Sequence, residues 1–160
     1  MKWYLQGDVA GPLKMYPVDC VPVAYFNCAI STGRPVPDPK KLMRDLNFNE
    51  QGTNLASLFC TLGKYFDIVS HGSWDHNWLR NKGISRRLKK SYLLSVDRFH
   101  YHLNQSGRTI FINCNNHAWM IRTHPKKVSV VNQTEGEVKR IDKGDVMGLF
   151  RNQVDWVVVR

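Results

Sequence analysis

At Gly107 the sequence changes rhythm, and that change limits the folds available to it. Before it, apolar residues recur at helical spacing: in "GTNLASLFCTLGKYF" Leu55, Leu58, Phe59 and Leu62 fall at i, i+3, i+4 and i+7, one stripe of a helix. After it come short β-branched and aromatic runs: "TIFIN" (109–113), "HAWMIRT" (117–123) and "VSVVNQT" (128–134), the last two joined by "HPKK". Such runs read as strands, and the tight connection as a hairpin. "DKGDVMGLF" reads as a short helix and "DWVVVR" as a closing strand. Helices first and antiparallel strands afterwards predict an α+β fold. No linker interrupts residues 1–160, so one domain is expected, and 160 residues, 42% of them hydrophobic, suffice for its core.

The helices carry their own punctuation. "CVPVAYFNCAIST" (20–32) has Pro22 in its first turn and Gly33 at its end, as helix boundaries favour. Its apolar residues do not fall on one stripe, the pattern of a helix buried all round. In "RPVPDPKKLMRDLNF" Asp38 is the expected N-cap, Pro39 the first helical residue, and Leu42, Met43 and Leu46 the buried stripe. The next helix opens on Thr53 or Asn54, and a fourth is expected over "SVDRFHYHLNQSG" (95–107). The segment ahead of Cys20 reads as an irregular or short-strand lead-in, and "DIVSHGSWDHNWLRNKGIS" has no period that assigns it.

No apolar run approaches the ~20 residues of a membrane span, and "MKWYLQGDVAGP" lacks the apolar core of a secretory signal. A cytoplasmic chain without membrane association is therefore expected. Formal net charge is +10, with 23 Lys and Arg against 13 Asp and Glu. Much of the excess sits in Arg80–Lys90 ("RNKGISRRLKK") and between Arg122 and Gly144. Such a stretch is either a solvated face or a surface for an acidic protein or nucleic acid.

The four cysteines, Cys20, Cys28, Cys60 and Cys114, are scattered along the chain, with no C-x-x-C among them. No close pair offers a zinc site, and in a reducing compartment free thiols are the default. No metal and no cofactor is expected. Cys28, Cys60 and Cys114 read as structural. His71 and His76 fall in the unassigned loop and read as solvent-facing, while His100 and His102 lack the i, i+4 spacing of metal ligands. Cys20, at the start of a helix, is either a packed thiol or a nucleophile. The second role needs an imidazole. His117 begins a strand, and Asn132 ends the next one, across the "HPKK" turn. Antiparallel neighbours bring the start of one strand beside the end of the other, so Asn132 can orient His117. A helix N-terminus and an adjacent imidazolium both lower a thiol pKa. The histidine then acts as base and acid, and the Cys20 backbone N–H as an oxyanion donor.

Asp19-Cys20 with Pro22, Ala24 and Asn27, then Gly33 and Pro35, and late His117-Ala118 and Asn132 give the chain a resemblance to papain-like cysteine peptidases. Among these it most resembles compact C39-like (bacteriocin-processing) peptidases and their small bacterial and phage relatives. The resemblance implies an N-terminal helical part carrying the nucleophile and a C-terminal antiparallel β-sheet. It implies hydrolysis of a peptide or isopeptide bond in a protein or peptide substrate, with Cys20 as nucleophile, His117 as base and acid, and Asn132 as orienter. The family's oxyanion glutamine falls on Lys14 here, upstream of Cys20. Lys14 and Tyr16, or Gln6 if the lead-in folds back, are the candidate replacements. Ala118 is small enough to admit substrate, and Trp74 and Trp78 form either a substrate shelf or a cap on the core. The missing glutamine and the +10 charge leave two further readings. One is a catalytically weak or inactive binding module that grips an acidic protein or nucleic acid. The other is transglutaminase- or deamidase-type acyl transfer by the same three residues.

Overall fold

A helix without a polar face has to sit between other layers, and the first helix does. In the computed structural model, which describes residues 3–4, 20–49, 51–78, 83–132 and 138–160, α1 spans Cys20–Thr32 and every residue from Val21 to Ala29 is buried. Gly33, at φ 71°, closes it, and Arg34 N–H donates back to the Ala29 carbonyl at 2.9 Å. That left-handed residue and long back-bond are what a helix end needs. Asn27 is polar and fully buried, so it requires partners. Its amide donates to Tyr4 O at 3.0 Å and accepts from Tyr4 N at 2.8 Å.

Helix α2 (Pro39–Asp45) begins where Asp38 accepts from Lys41 N, and α3 (Leu55–Tyr65) where Asn54 accepts from Ser57 N. Leu42, Leu46, Leu58 and Leu62 are buried as expected, with Met43 half-buried. Two expectations fail. Cys60 is exposed, because it lies half a turn round α3 from the Leu58–Leu62 stripe. Leu55 is 53% exposed, because the first turn of α3 runs past the core and over a cleft.

The sheet has six strands in the order β1-β6-β2-β3-β4-β5, every neighbouring pair antiparallel. They are β1 (Ile68–Asp75), β2 (Thr109–Cys114), β3 (His117–Thr123), β4 (Lys127–Val131), β5 (Val138–Asp142) and β6 (Gln153–Val159). Helix α4 (Arg86–Leu103) follows β1, and a 3-10 segment (Lys143–Leu149) precedes β6. This is the expected α+β arrangement, with one strand ahead of the last helix. Strand alternation sends Phe111, Met120 and Val157 toward α1–α3, and Ile112, Ile121 and Trp156 toward α4. The sheet therefore separates two cores. At Gly72 of β1 an added Cβ would collide with Ser95 of α4 and lie 2.8 Å from Trp156; only glycine lets these layers close.

Candidate active site

Cys20 is the first residue of α1 and His117 the first of β3. Both are half-buried and border one cleft of about 550 Å³, walled by the starts of α1 and α3 and by the β2–β3 turn. That turn is set by two asparagines. Cys114 pairs with His117 around Asn115 and Asn116, which have φ of 54° and 56°. Two successive positive φ values make the two-residue hairpin whose twist matches the strands, and asparagine tolerates them. His117 is thereby fixed at the end of an inner strand of the sheet.

Across the next hairpin Met120 pairs with Val131, so Asn132 arrives at the His117 end of β3. His117 Nε2 lies 2.9 Å from Asn132 Oδ1. An amide oxygen only accepts, so Nε2 carries the proton and Nδ1 keeps its lone pair for exchange. The start of α1 directs the positive end of a 13-residue helix at Cys20, with no acidic side chain in the first turn to offset it. The buried thiols are of another kind. Burial raises the pKa of Cys28 far above that of a free thiol, and burial also raises that of Cys114, whose sulfur donates to Arg151 O at 3.2 Å.

Polar residues complete the cleft: Gln51, Thr53 and Asn54 on the approach to α3, and Asn113 and Asn116 on the hairpin. Thr53 Oγ1 is buried there without a partner among the described residues. In the sequence Thr53 and Asn54 stand out as a helix cap, Asn116 as part of a turn and Asn113 as a candidate polar contact, while Gln51 carries no signal. Their convergence on Cys20 depends on the start of α3 lying across the cleft from the start of α1 and the β2–β3 turn.

Three expectations about substrate contacts are corrected. Trp74 is fully buried and Trp78 is 7% exposed, both in the core on the α4 side. Strand alternation points Trp74 away from the cleft and against Phe99 and Phe150. Ala118 is fully buried in the other core and does not border the cleft; it is small where α1 crosses β3. Of the two histidines assigned to a loop, His71 lies on β1 and is exposed as expected, whereas His76 is half-buried and accepts from Trp74 Nε1 at 3.2 Å. Lys14, Tyr16 and Gln6 lie outside the described residues, as do Arg80 and Lys82. The rest of that basic stretch, Arg86 to Lys90, forms the exposed opening of α4. Among the described residues no group of three or more His, Cys, Asp or Glu could hold a metal ion, and no helix is long and apolar enough to cross a membrane.

No protein-family model matches the chain, and no curated protein matches it in sequence. Solved structures do resemble it. One is UfSP from C. elegans, 12% identical, with a TM-score of 0.54 over 88% of this chain and 29% of that one. Another is the peptidase domain of Streptococcus ComA, a bi-functional ABC transporter involved in a quorum sensing pathway. It is 12% identical, with a TM-score of 0.48 over 89% of this chain and 93% of that one. The fold is that of papain-like cysteine peptidases.

Proposed function

We propose that the protein is a cysteine peptidase of compact, C39-like form that cleaves a peptide or isopeptide bond through an acyl-enzyme on Cys20. The observation that carries this reading is the 2.9 Å contact between His117 Nε2 and Asn132 Oδ1, at the edge of a cleft that Cys20 also borders. His117 Nδ1 takes the thiol proton, and the thiolate sulfur attacks the substrate carbonyl. The Cys20 backbone N–H donates to the oxyanion, with Lys14 or Tyr16 of the lead-in as the second donor. Collapse breaks the C–N bond, and the Nδ1 proton goes to the leaving amine. Water then gives a proton to Nδ1 and attacks the thioester carbonyl, releasing the acid and the thiol. Asn132 holds the ring through both halves. All four cysteines are free, which suits a reducing compartment.

Alkylation by iodoacetamide with peptide mapping tests the reading. Cys20 is expected to react well ahead of exposed Cys60, with Cys28 and Cys114 silent until unfolding, and His117→Ala to bring Cys20 down to the Cys60 rate. Equal rates at Cys20 and Cys60 in the unaltered protein would overturn it. Peptide scission, as against loss of ammonia, separates hydrolysis from the acyl-transfer alternatives.

A further inference from the structure

We infer that the cleft continues past Cys20 into a second cavity that takes a basic side chain of the substrate, with Asp155 as its counter-charge. The inference rests on the peptidase reading for its purpose, though not for its geometry. The second cavity, of about 460 Å³, lies between α3 and the β6–β1 edge. Its walls include Phe59, Leu62, Val157 and Asp155, with His71 and Ser73 on β1.

Two sets of positions link it to the first. Along α3, Leu55 and Leu58 border the Cys20 cleft, and Phe59 and Leu62, one turn on, border the second cavity. Across the sheet Ala118 pairs with Asn113, Asn113 with Asp155, and Asp155 with Ser73. Directly paired residues share a face, so these four form one row; at its start Ala118 is buried under α1, and Asn113, Asp155 and Ser73 are the part that solvent reaches. Neighbouring strands lie about 4.8 Å apart, which puts Asp155 about 10 Å from the β3 column, or about three residues of extended chain. The imidazole sits beside the leaving amine, so the acyl half of a substrate runs the other way, along this row. Asn113 stands midway with no side-chain partner among the described residues. Its amide offers a donor and an acceptor to a passing backbone.

Asp155 is half-buried and accepts one side-chain hydrogen bond among the described residues, from Gln153 Nε2 at 3.3 Å. The ion pairs among those residues are Arg34–Asp67 and Lys127–Asp142, so no cation there pairs with Asp155, in a chain carrying 23 Lys and Arg. The cavity thus offers an incoming side chain an apolar wall of Phe59, Leu62 and Val157 and one carboxylate, that of Asp155. Lysine and arginine match both features, an aliphatic stem along the apolar wall and a charged end at the carboxylate. An aliphatic side chain of the same length would satisfy only the wall.

Amide NMR of the full chain, titrated with N-acetyl-lysine methylamide and with its norleucine analogue, tests the site without turnover. The lysine compound is expected to give saturable shifts at Ser73, Asp155 and Val157, with norleucine about two- to fivefold weaker, the scale of one partly exposed ion pair. Asp155→Asn should remove the difference and Asp155→Glu restore part of it. Equal binding of the two probes, or no saturable shift at these amides, overturns the site. Were Asp155→Asn not to fold, the lysine-to-norleucine contrast in the unaltered protein still decides. A positional peptide library read in parallel judges the peptidase separately. Cleavage without a preference for Lys or Arg sinks the Asp155 site alone, whereas no cleavage with intact lysine binding sinks the peptidase reading alone.

Discussion

In the proposed reaction His117 exchanges protons through only one of its two nitrogens, and its contact with Asn132 selects which. With Nε2 held at 2.9 Å by an amide oxygen, Nδ1 is the atom free to serve a thiol. Replacing Asn132 by alanine leaves the ring free to turn and to change tautomer. A misplacement of about 1 Å costs on the order of 10²-fold in rate, so Asn132→Ala should lower kcat about 10- to 100-fold with little change in KM. An unchanged kcat in a peptide-cleavage assay would remove Asn132 from the machinery. That Cys20 starts a helix, that His117 starts a strand and that Asn132 follows the next strand was legible, because each depends on local order. Ala118 was misread because sequence order places it beside the histidine, while strand alternation turns it into the core. Asp155 was invisible as a site residue, since its sheet neighbours Asn113 and Ser73 belong to β2 and β1, with whole elements of chain between them and β6.

Among the elements, α4 shows what periodicity conveys and what it omits. Its apolar stripe is readable from Ser95 onward, but the helix begins at Arg86, with Ser85 accepting from Leu88 N. The extra turns are exposed and basic, so they carry no burial signal. β1 escaped for the opposite reason: Gly72 and its polar neighbours look like a loop, and only contact with Trp156 and Ser95 explains them. Beside that contact lies His102, 7% exposed, its Nδ1 without a partner among the described residues and its ring 6.2 Å from Trp156. Burial, aided by Arg108 and Arg98, lowers its pKa below the ordinary imidazole value. The unfolded chain therefore binds a proton that the folded chain resists, and this term of stability is complete above about pH 6.5 and lost as pH falls below it. The melting temperature should drop between pH 7.5 and 5, and His102→Phe should shrink that drop. A pH slope unaffected by the substitution would show that His102 titrates alike in both states. His124, also lowered by burial, accounts for part of what remains.

At the scale of the whole molecule, the last strand in sequence is an inner strand in space. "DWVVVR" was legible as a strand, but nothing local says that it enters between β1 and β2, because such pairing is chosen by topology and not by propensity. β6 pairs along its length with both neighbours and carries the Asp155 wall of the second cavity. Five of its seven residues are buried: Val154, Trp156, Val157, Val158 and Val159. At about 1.5–3 kcal/mol for each buried large side chain they contribute roughly 8–15 kcal/mol, as much as the entire net stability of a typical domain. Removing 153–160 would also leave β1 without its strand partner and expose Trp74 and Ile112 at a cut through the second core. The truncated chain should lose cooperative unfolding, seen as a flat tryptophan-fluorescence profile in urea where the full chain gives a sigmoid. A sigmoid with the full-length midpoint would mean that the helices and the β2–β5 strands fold without β6. The two cavities would then be separable units, and Asp155 could be removed without disturbing the Cys20 cleft.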